Sequence, residues 1–189
     1  MTTKSQNNKK TNINTKTATF AGGCFWCTEA VFKRVKGVTS LKSGYSGGTI
    51  ENPTYEELHY SNTGHAECIQ LEFDPNIISY ETLVEIFFGT HNPTQLNRQG
   101  NDVGEEYRSV IFYHDEEQKK TAETVVSRLT EEGIYDDPIV TAIEPFKSFY
   151  PEESEHQDFY DSNPNQLYCR FVIDPKVAKL RKKFSKYLK

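Results

Sequence analysis

Gly22-Gly23-Cys24-Phe25-Trp26-Cys27-Thr28-Glu29-Ala30-Val31-Phe32 is the stretch from which the rest of the chain is read. A β-type run, Thr17 to Ala21, leads into the two glycines, and a helical pattern starts directly after them. Glycine tolerates the sharp turn of such a strand-to-helix junction and lets a ligand approach the backbone closely. Cys24 therefore falls at the first turn of a helix, where unpaired N–H groups and the macrodipole favour negative charge. A thiol so placed is expected to ionise readily, and the thiolate is the reactive form. Two large aromatics follow it. A nucleophilic sulfur beside an aromatic cage is the first expectation for this chain.

Outward from that junction, Val38–Ser46 reads as a strand closed by Gly47-Gly48, and Asn52-Pro53 marks a turn into a short helical segment. His65–Phe73 alternates as a strand, with Glu67, Ile69, Leu71 and Phe73 on one face. Ile77–Gly89 is an amphipathic helix with Ser79 as its N-cap. The polar stretch His91–Gly104 is expected to lack regular structure and, by its length, to be functional or disordered. Beyond it follow a strand Ser109–Tyr113, a helix Glu116–Glu131, a short strand Ile139–Ile143 and a helix Glu152–Phe159. An extended piece Cys169–Ile173 and a basic helix Lys176–Leu188 end the chain. The first six elements, β-α-β-β-α-β, predict an α+β fold: a ferredoxin-like two-layer sandwich with a split β-α-β core, additional helices and long loops.

The 189 residues suffice for one domain with a sizeable core, expected over residues 17–189 behind a disordered polar tail, residues 1–16. That tail lacks the apolar run of a secretory signal, and no 18-residue apolar run crosses a membrane. A net charge of −5 without a basic stripe before the final helix argues against nucleic acid as the partner. Four cysteines without a signal point to reduced, working thiols in a cytoplasmic protein, not to a disulfide scaffold.

Cys24-x-x-Cys27 beside a β-α junction reads as a redox pair or as half of a zinc site completed by His65-x-x-Cys68. If His65–Phe73 is a strand, however, positions 65 and 68 point to opposite faces and cannot share a metal. Glu67, on an apolar strand face, is either a salt-bridged structural group or an acid with a raised pKa. Cys68 reads as structural. Tyr55 and Tyr107, near a loop holding Asn97, Gln99, Asn101 and Asp102, could supply a ring of neutral donors.

Taken together, the Gly22–Cys27 motif, Gly44-Tyr45-Ser46-Gly47-Gly48, Asn52-Pro53-Thr54-Tyr55, Thr63-Gly64-His65-Ala66-Glu67, His91-Asn92-Pro93-Thr94 and Asn97–Gly104 resemble the A-type peptide methionine sulfoxide reductases, in order over about residues 17–175. The resemblance implies an enzyme that reduces methionine-S-sulfoxide, free or in proteins, to methionine and so repairs oxidative damage. It implies that Cys24 attacks the sulfoxide sulfur and that Phe25 and Trp26 hold the substrate methyl. Glu67 would protonate the sulfoxide oxygen, Tyr55 and Tyr107 would hydrogen-bond it, and Asp102 would support that network. The resulting sulfenic acid would pass to an intramolecular disulfide recycled by thioredoxin. No cofactor, no metal and a monomer are the corresponding expectations.

The chain departs from the family pattern in three places. Cys27 stands where many members have Gly, Glu105-Glu106 precedes Tyr107, and Tyr168-Cys169-Arg170-Phe171 replaces a glycine-rich tail with two recycling cysteines. Cys169, behind the turn-forming Asn163-Pro164-Asn165, is the expected resolving thiol, with Cys27 second and Cys68 last. Competing readings are a general CxxC disulfide oxidoreductase and a zinc-stabilised binding module.

Overall fold

The computed structural model describes residues 14–60 and 63–189 and, at positions 55, 59 and 60, the backbone alone. The elements are β1 (Lys16–Gly22), α1 (Phe25–Phe32), β2 (Val38–Ser46), α2 (Tyr55–Tyr60), β3 (Ala66–Phe73), α3 (Tyr80–Thr90), β4 (Arg98–Gln99), β5 (Asp102–Val103), β6 (Ser109–Tyr113), α4 (Glu116–Glu131), β7 (Ala142–Pro145), β8 (Tyr150–Pro151), α5 (Phe159–Ser162) and α6 (Asp174–Lys183). Among the described residues, six strands form one sheet in the order β7-β6-β1-β3-β2-β8, and β4 pairs with β5 as a separate hairpin. The central order β6-β1-β3-β2, antiparallel throughout, is the split β-α-β core of a ferredoxin-like α+β sandwich. On one edge β7 adds parallel to β6 after the α4 crossover, and on the other β8 adds antiparallel to β2.

Strand alternation decides which side chains meet the helices. Ala18 and Phe20 of β1 and Ile69, Leu71 and Phe73 of β3 join the main core with residues of α1, α3, α4 and α6. Their neighbours Ala21, Ala66, Cys68, Val110 and Phe112 point to the opposite face, where Phe146 and Phe149 cover them. Cys68 is thus structural filler on the rear of the sheet. Burying these side chains is worth about 1.5–3 kcal/mol each for the larger ones. Local signals set the helix starts: Ser79 and Asp115 accept backbone N–H bonds from Thr82 and Gln118 at 3.1 and 2.8 Å, each cap contributing about 1 kcal/mol.

Several boundaries differ from the sequence expectation. Lys16 already pairs with Phe73 in β1, so the ordered domain begins before residue 17; residues 1–13 of the expected tail lie outside the described residues. His91–Gly104 is not structureless. Gln99 accepts from Asn92 N–H at 3.0 Å and donates to Asn92 C=O at 2.9 Å, stitching the loop into the β4–β5 hairpin. The strand expected over Ile139–Ile143 runs from Ala142 to Pro145, where it can pair with β6. The helix expected over Glu152–Phe159 is instead β8, a 3₁₀ turn at Ser154–His156 and α5, because Asp158 adopts a left-handed conformation (φ 56°) that breaks a helix. Cys169–Ile173 is a π-helical turn leading straight into α6, not an extended piece. Its Ile173 fills the core together with Val177 and Leu180, and short apolar runs do not reveal their period.

Candidate active site

Three sequence-distant segments converge because the strands carrying them are antiparallel. Gly22, at the end of β1, pairs with Ser109, at the start of β6, just beyond Tyr107. Glu67 sits at the start of β3, opposite Tyr45 at the end of β2. The β1–α1 turn, Glu67 and Tyr107 therefore share one end of the sheet. The turn needs its glycines: Gly23 has φ 90°, and a Cβ there would lie 2.6 Å from Gln99, while one on Gly22 would lie 2.8 Å from Phe87.

Cys24 is the N-cap of α1, with φ −52° and ψ 127°, and its C=O accepts from Cys27 N–H at 3.1 Å. The next amide, Phe25 N–H, donates to Glu67 Oε2 at 2.9 Å. Burial pushes the Glu67 carboxyl up to about 8, and the charges of Asp102 and Glu106 reinforce that shift against the Phe25 bond. Of the two sequence readings for Glu67, the raised acid is the one its surroundings support: it is 2% exposed on the core-facing side of β3.

The expectation for Cys24 needs correction. Its thiol is pushed well up, first by burial, then by its hydrogen bond with Cys27 and the Glu67 charge. A helix terminus contributes about 0.3–1 kcal/mol to an anion. Burial, the largest cause acting on this thiol, outweighs that contribution, and the resting Cys24 is a neutral thiol. Cys27 behaves oppositely: its hydrogen bond with Cys24, outweighing burial, and then the Lys176 charge bring it down to about 7.

Phe25 is fully buried against Tyr45, with ring centroids 5.8 Å apart. Trp26 is partly exposed. Its indole stacks on Phe159 at 3.7 Å and 9°, and its Nε1–H donates to the His156 carbonyl at 3.1 Å. Tyr107 packs beside the core, its hydroxyl held protonated by burial and then by the Glu67 and Cys24 charges. The Asp102 carboxylate accepts from the Tyr168 hydroxyl at 2.8 Å. The Tyr55 side chain lies outside the described residues. Cys169 is buried in the core, one residue beyond Tyr168.

The C-terminal segment supplies residues that sequence reasoning missed. Tyr168 also reaches the sulfur of Cys27, 3.7 Å away, and Phe159 and His156 cover Trp26. Glu29, buried on α1, accepts from the Asp158 N–H at 3.0 Å and ties this segment to α1. The one available signal was aromatic density: Phe159, Tyr160 and Tyr168 fall within ten residues of a stretch without clear periodicity. Among the described residues, no cluster of three or more His, Cys, Asp or Glu is placed to hold a metal, and no helix is long and apolar enough to cross a membrane.

Known proteins match this chain along most of its length. The family model described as peptide methionine sulfoxide reductase matches residues 16–188. A peptide methionine sulfoxide reductase MsrA of Sulfolobus acidocaldarius is 59% identical over 88% of this chain and 94% of its own. The crystal structure of Mxr1 from Saccharomyces cerevisiae in reduced form superposes with a TM-score of 0.77 at 32% identity, over 82% of this chain and 89% of that one. Mxr1 in complex with Trx2 superposes at 0.55 and 26% identity, over 75% of this chain and 83% of that one. Buried thiol, buried acid and tyrosine at one sheet end thus come with a match along nearly the whole chain, and the chain belongs to the peptide methionine sulfoxide reductase family.

Proposed function

We propose that this chain reduces methionine-S-sulfoxide, free or within proteins, with Cys24 as nucleophile and Glu67 as general acid, and that thioredoxin recycles it. The observation that carries the residue roles is the neutral Glu67 carboxyl hydrogen-bonded to the amide next to Cys24. A sulfoxide sulfur becomes electrophilic as its oxygen gains a proton, so an acid still protonated at neutral pH must stand beside the thiol. The Cys24 thiol gives up its proton to solvent, Glu67 gives its own to the oxygen as the Cys24 sulfur bonds to the sulfoxide sulfur, and Glu67 then regains a proton from solvent. The oxygen then passes to Cys24: methionine leaves reduced by two electrons, and Cys24 remains as the sulfenic acid. Tyr107, and Tyr55 by its motif, hydrogen-bond the oxygen, with Asp102 behind them. Trp26 and Phe25 wall the methyl and sulfur, since aromatic edges contact sulfur favourably.

Trx2 occurs in complex with the neighbouring Mxr1 structure, and a thioredoxin dithiol accepts the two oxidising equivalents here. Four unpaired thiols suit a reducing compartment, and we read the enzyme as a cytoplasmic monomer without cofactor. The test is a single turnover. Reduced enzyme mixed with methionine-S-sulfoxide and no reductant should release about one equivalent of methionine, and thioredoxin should make turnover continuous. Reduction of insulin disulfides without sulfoxide reduction would instead identify a general disulfide oxidoreductase.

A further inference from the structure

The terminal helix brings a cation to the first turn of α1. Lys176, half-buried on α6, lines a small cavity together with Gly22, Cys27, Thr28 and His91. Its ammonium is near enough to the Cys27 sulfur for its charge to favour the thiolate, and that sulfur also lies 3.7 Å from the Tyr168 hydroxyl. Packing sets this placement: Ile173, Val177 and Leu180 anchor one face of the helix in the core, and Lys176 precedes the central anchor.

We propose that Cys27 is the thiol that resolves the Cys24 sulfenic acid, and that Lys176 is the positioning residue that holds the Cys27 sulfur beside Cys24 as its counter-cation. This rests on the reductase reading. The Cys27 thiolate attacks the sulfenic sulfur, an S–S bond forms, the S–O bond breaks, and the departing hydroxide takes a proton to leave as water. Cys27 sulfur is oxidised by one electron and Cys24 sulfur reduced by one; thioredoxin later returns two electrons to the disulfide.

Geometry favours Cys27 over the Cys169 that the tail position suggested. Helix geometry puts Cα atoms three residues apart about 5 Å from each other, within the Cα range of a disulfide, and the non-helical dihedrals of Cys24 give its side chain the freedom to close the remaining gap. Cys169 is buried in the π-helical turn behind Tyr168, so its approach requires Tyr168 to leave and that turn to unwind. Electrostatics agrees. The groups facing Cys27 are Cys24 in its own turn, the Tyr168 hydroxyl, Glu67 from β3, Cys169 from the π-helical turn, Lys176 from α6 and, in the same cavity, His91 from the end of α3. His91 is held neutral by burial, pushed down to about 3, so Lys176 is the cation that meets this sulfur.

The experiment is one turnover with one equivalent of methionine-S-sulfoxide and no reductant. The disulfide is mapped by mass spectrometry, and the rate of sulfenic acid loss is followed from pH 5.5 to 9 by competition with a dimedone-type trap. The proposal expects a Cys24–Cys27 bridge and a closure rate that rises with pH to a plateau as Cys27 ionises, with its midpoint below that of an ordinary thiol. Lys176→Met, which keeps the apolar stem, should move that midpoint upward by about one pH unit, and Lys176→Arg should bring it back. A Cys24–Cys169 bridge in the unaltered chain, or a Lys176→Met profile that superposes on it, would overturn the proposal while the methionine burst upholds the reductase. Absence of the burst would overturn the reductase reading and this proposal with it.

Discussion

The pocket around Cys24 has two unlike sides. One is the sheet end, where Gly22–Cys27, Glu67 and Tyr107 are brought together by strand register and buried with the core. The other is the C-terminal segment, where His156, Phe159, Tyr168 and Lys176 rest on that end. Its α6 is anchored in the core by Ile173, Val177 and Leu180, but the stretch carrying His156, Phe159 and Tyr168 is held by partly buried aromatics and by polar contacts at its rim: Glu29 to Asp158, Lys33 and Arg34 to Asp161, and Tyr168 to Asp102. The ion pairs of Lys33 and Arg34 with Asp161, at the surface, contribute only about 0–1 kcal/mol each. The rigid side can therefore hold the reacting groups in fixed relation, while the lightly held side can lift to admit a substrate onto Trp26. The difference teaches where chemistry and access are divided.

Substitutions on the rigid side should have the largest effects. Cys24→Ser removes the proposed nucleophile, because a hydroxyl does not ionise at neutral pH, and should abolish the methionine burst; a remaining stoichiometric burst would show that another thiol attacks. Glu67→Gln should slow the burst by ~10²–10⁴-fold while Cys24 still reacts with small alkylating agents. A loss under threefold would make Glu67 a structural group.

The same side sets a pH dependence. Glu67 loses its proton near pH 8 and Cys24 loses its own at higher pH, so below 8 both are protonated. The reactive form carries one proton, on Glu67, with Cys24 ionised. Its population grows as pH rises, by close to tenfold per unit well below 8, and levels off between the two pKa values. The burst rate should therefore climb from pH 6 to 8. A rate falling from pH 7 upward would mean that the pair has lost both protons at a lower pH than burial of Cys24 and Glu67 implies.

Effects on the lightly held side should be smaller. Trp26→Ala should raise the Michaelis constant for methionine sulfoxide by about two- to tenfold, since a sulfur–aromatic contact is worth about 0.3–1.5 kcal/mol. A change confined to the melting temperature would assign Trp26 to the core instead. Tyr168→Phe removes one hydrogen bond to Asp102, worth about 1 kcal/mol, and should speed alkylation of Cys24 about fivefold by loosening the cover. If the rate of alkylation does not change, the segment does not control access.

Much of the rigid side was legible in the sequence because its cues are local. Two glycines before Cys24 mark a junction that only a tight strand-to-helix turn satisfies, and Ser79 announces its helix. Alternation alone put Glu67 on the core-facing side of its strand and Cys68 on the other. The split β-α-β order followed from element order. What the sequence could not rank was competing energies. A helix start favours a thiolate, but only the packed structure shows that Cys24 is desolvated strongly enough to reverse the preference, and that Cys27, three residues on, keeps the lower pKa. Nor could it show that Lys176, almost 150 residues from Cys27 in the chain, meets that sulfur. Propensity and alternation act between near neighbours and are written in the order of residues. Desolvation and charge depend on which distant segments close over a site, and those are decided when the helices pack.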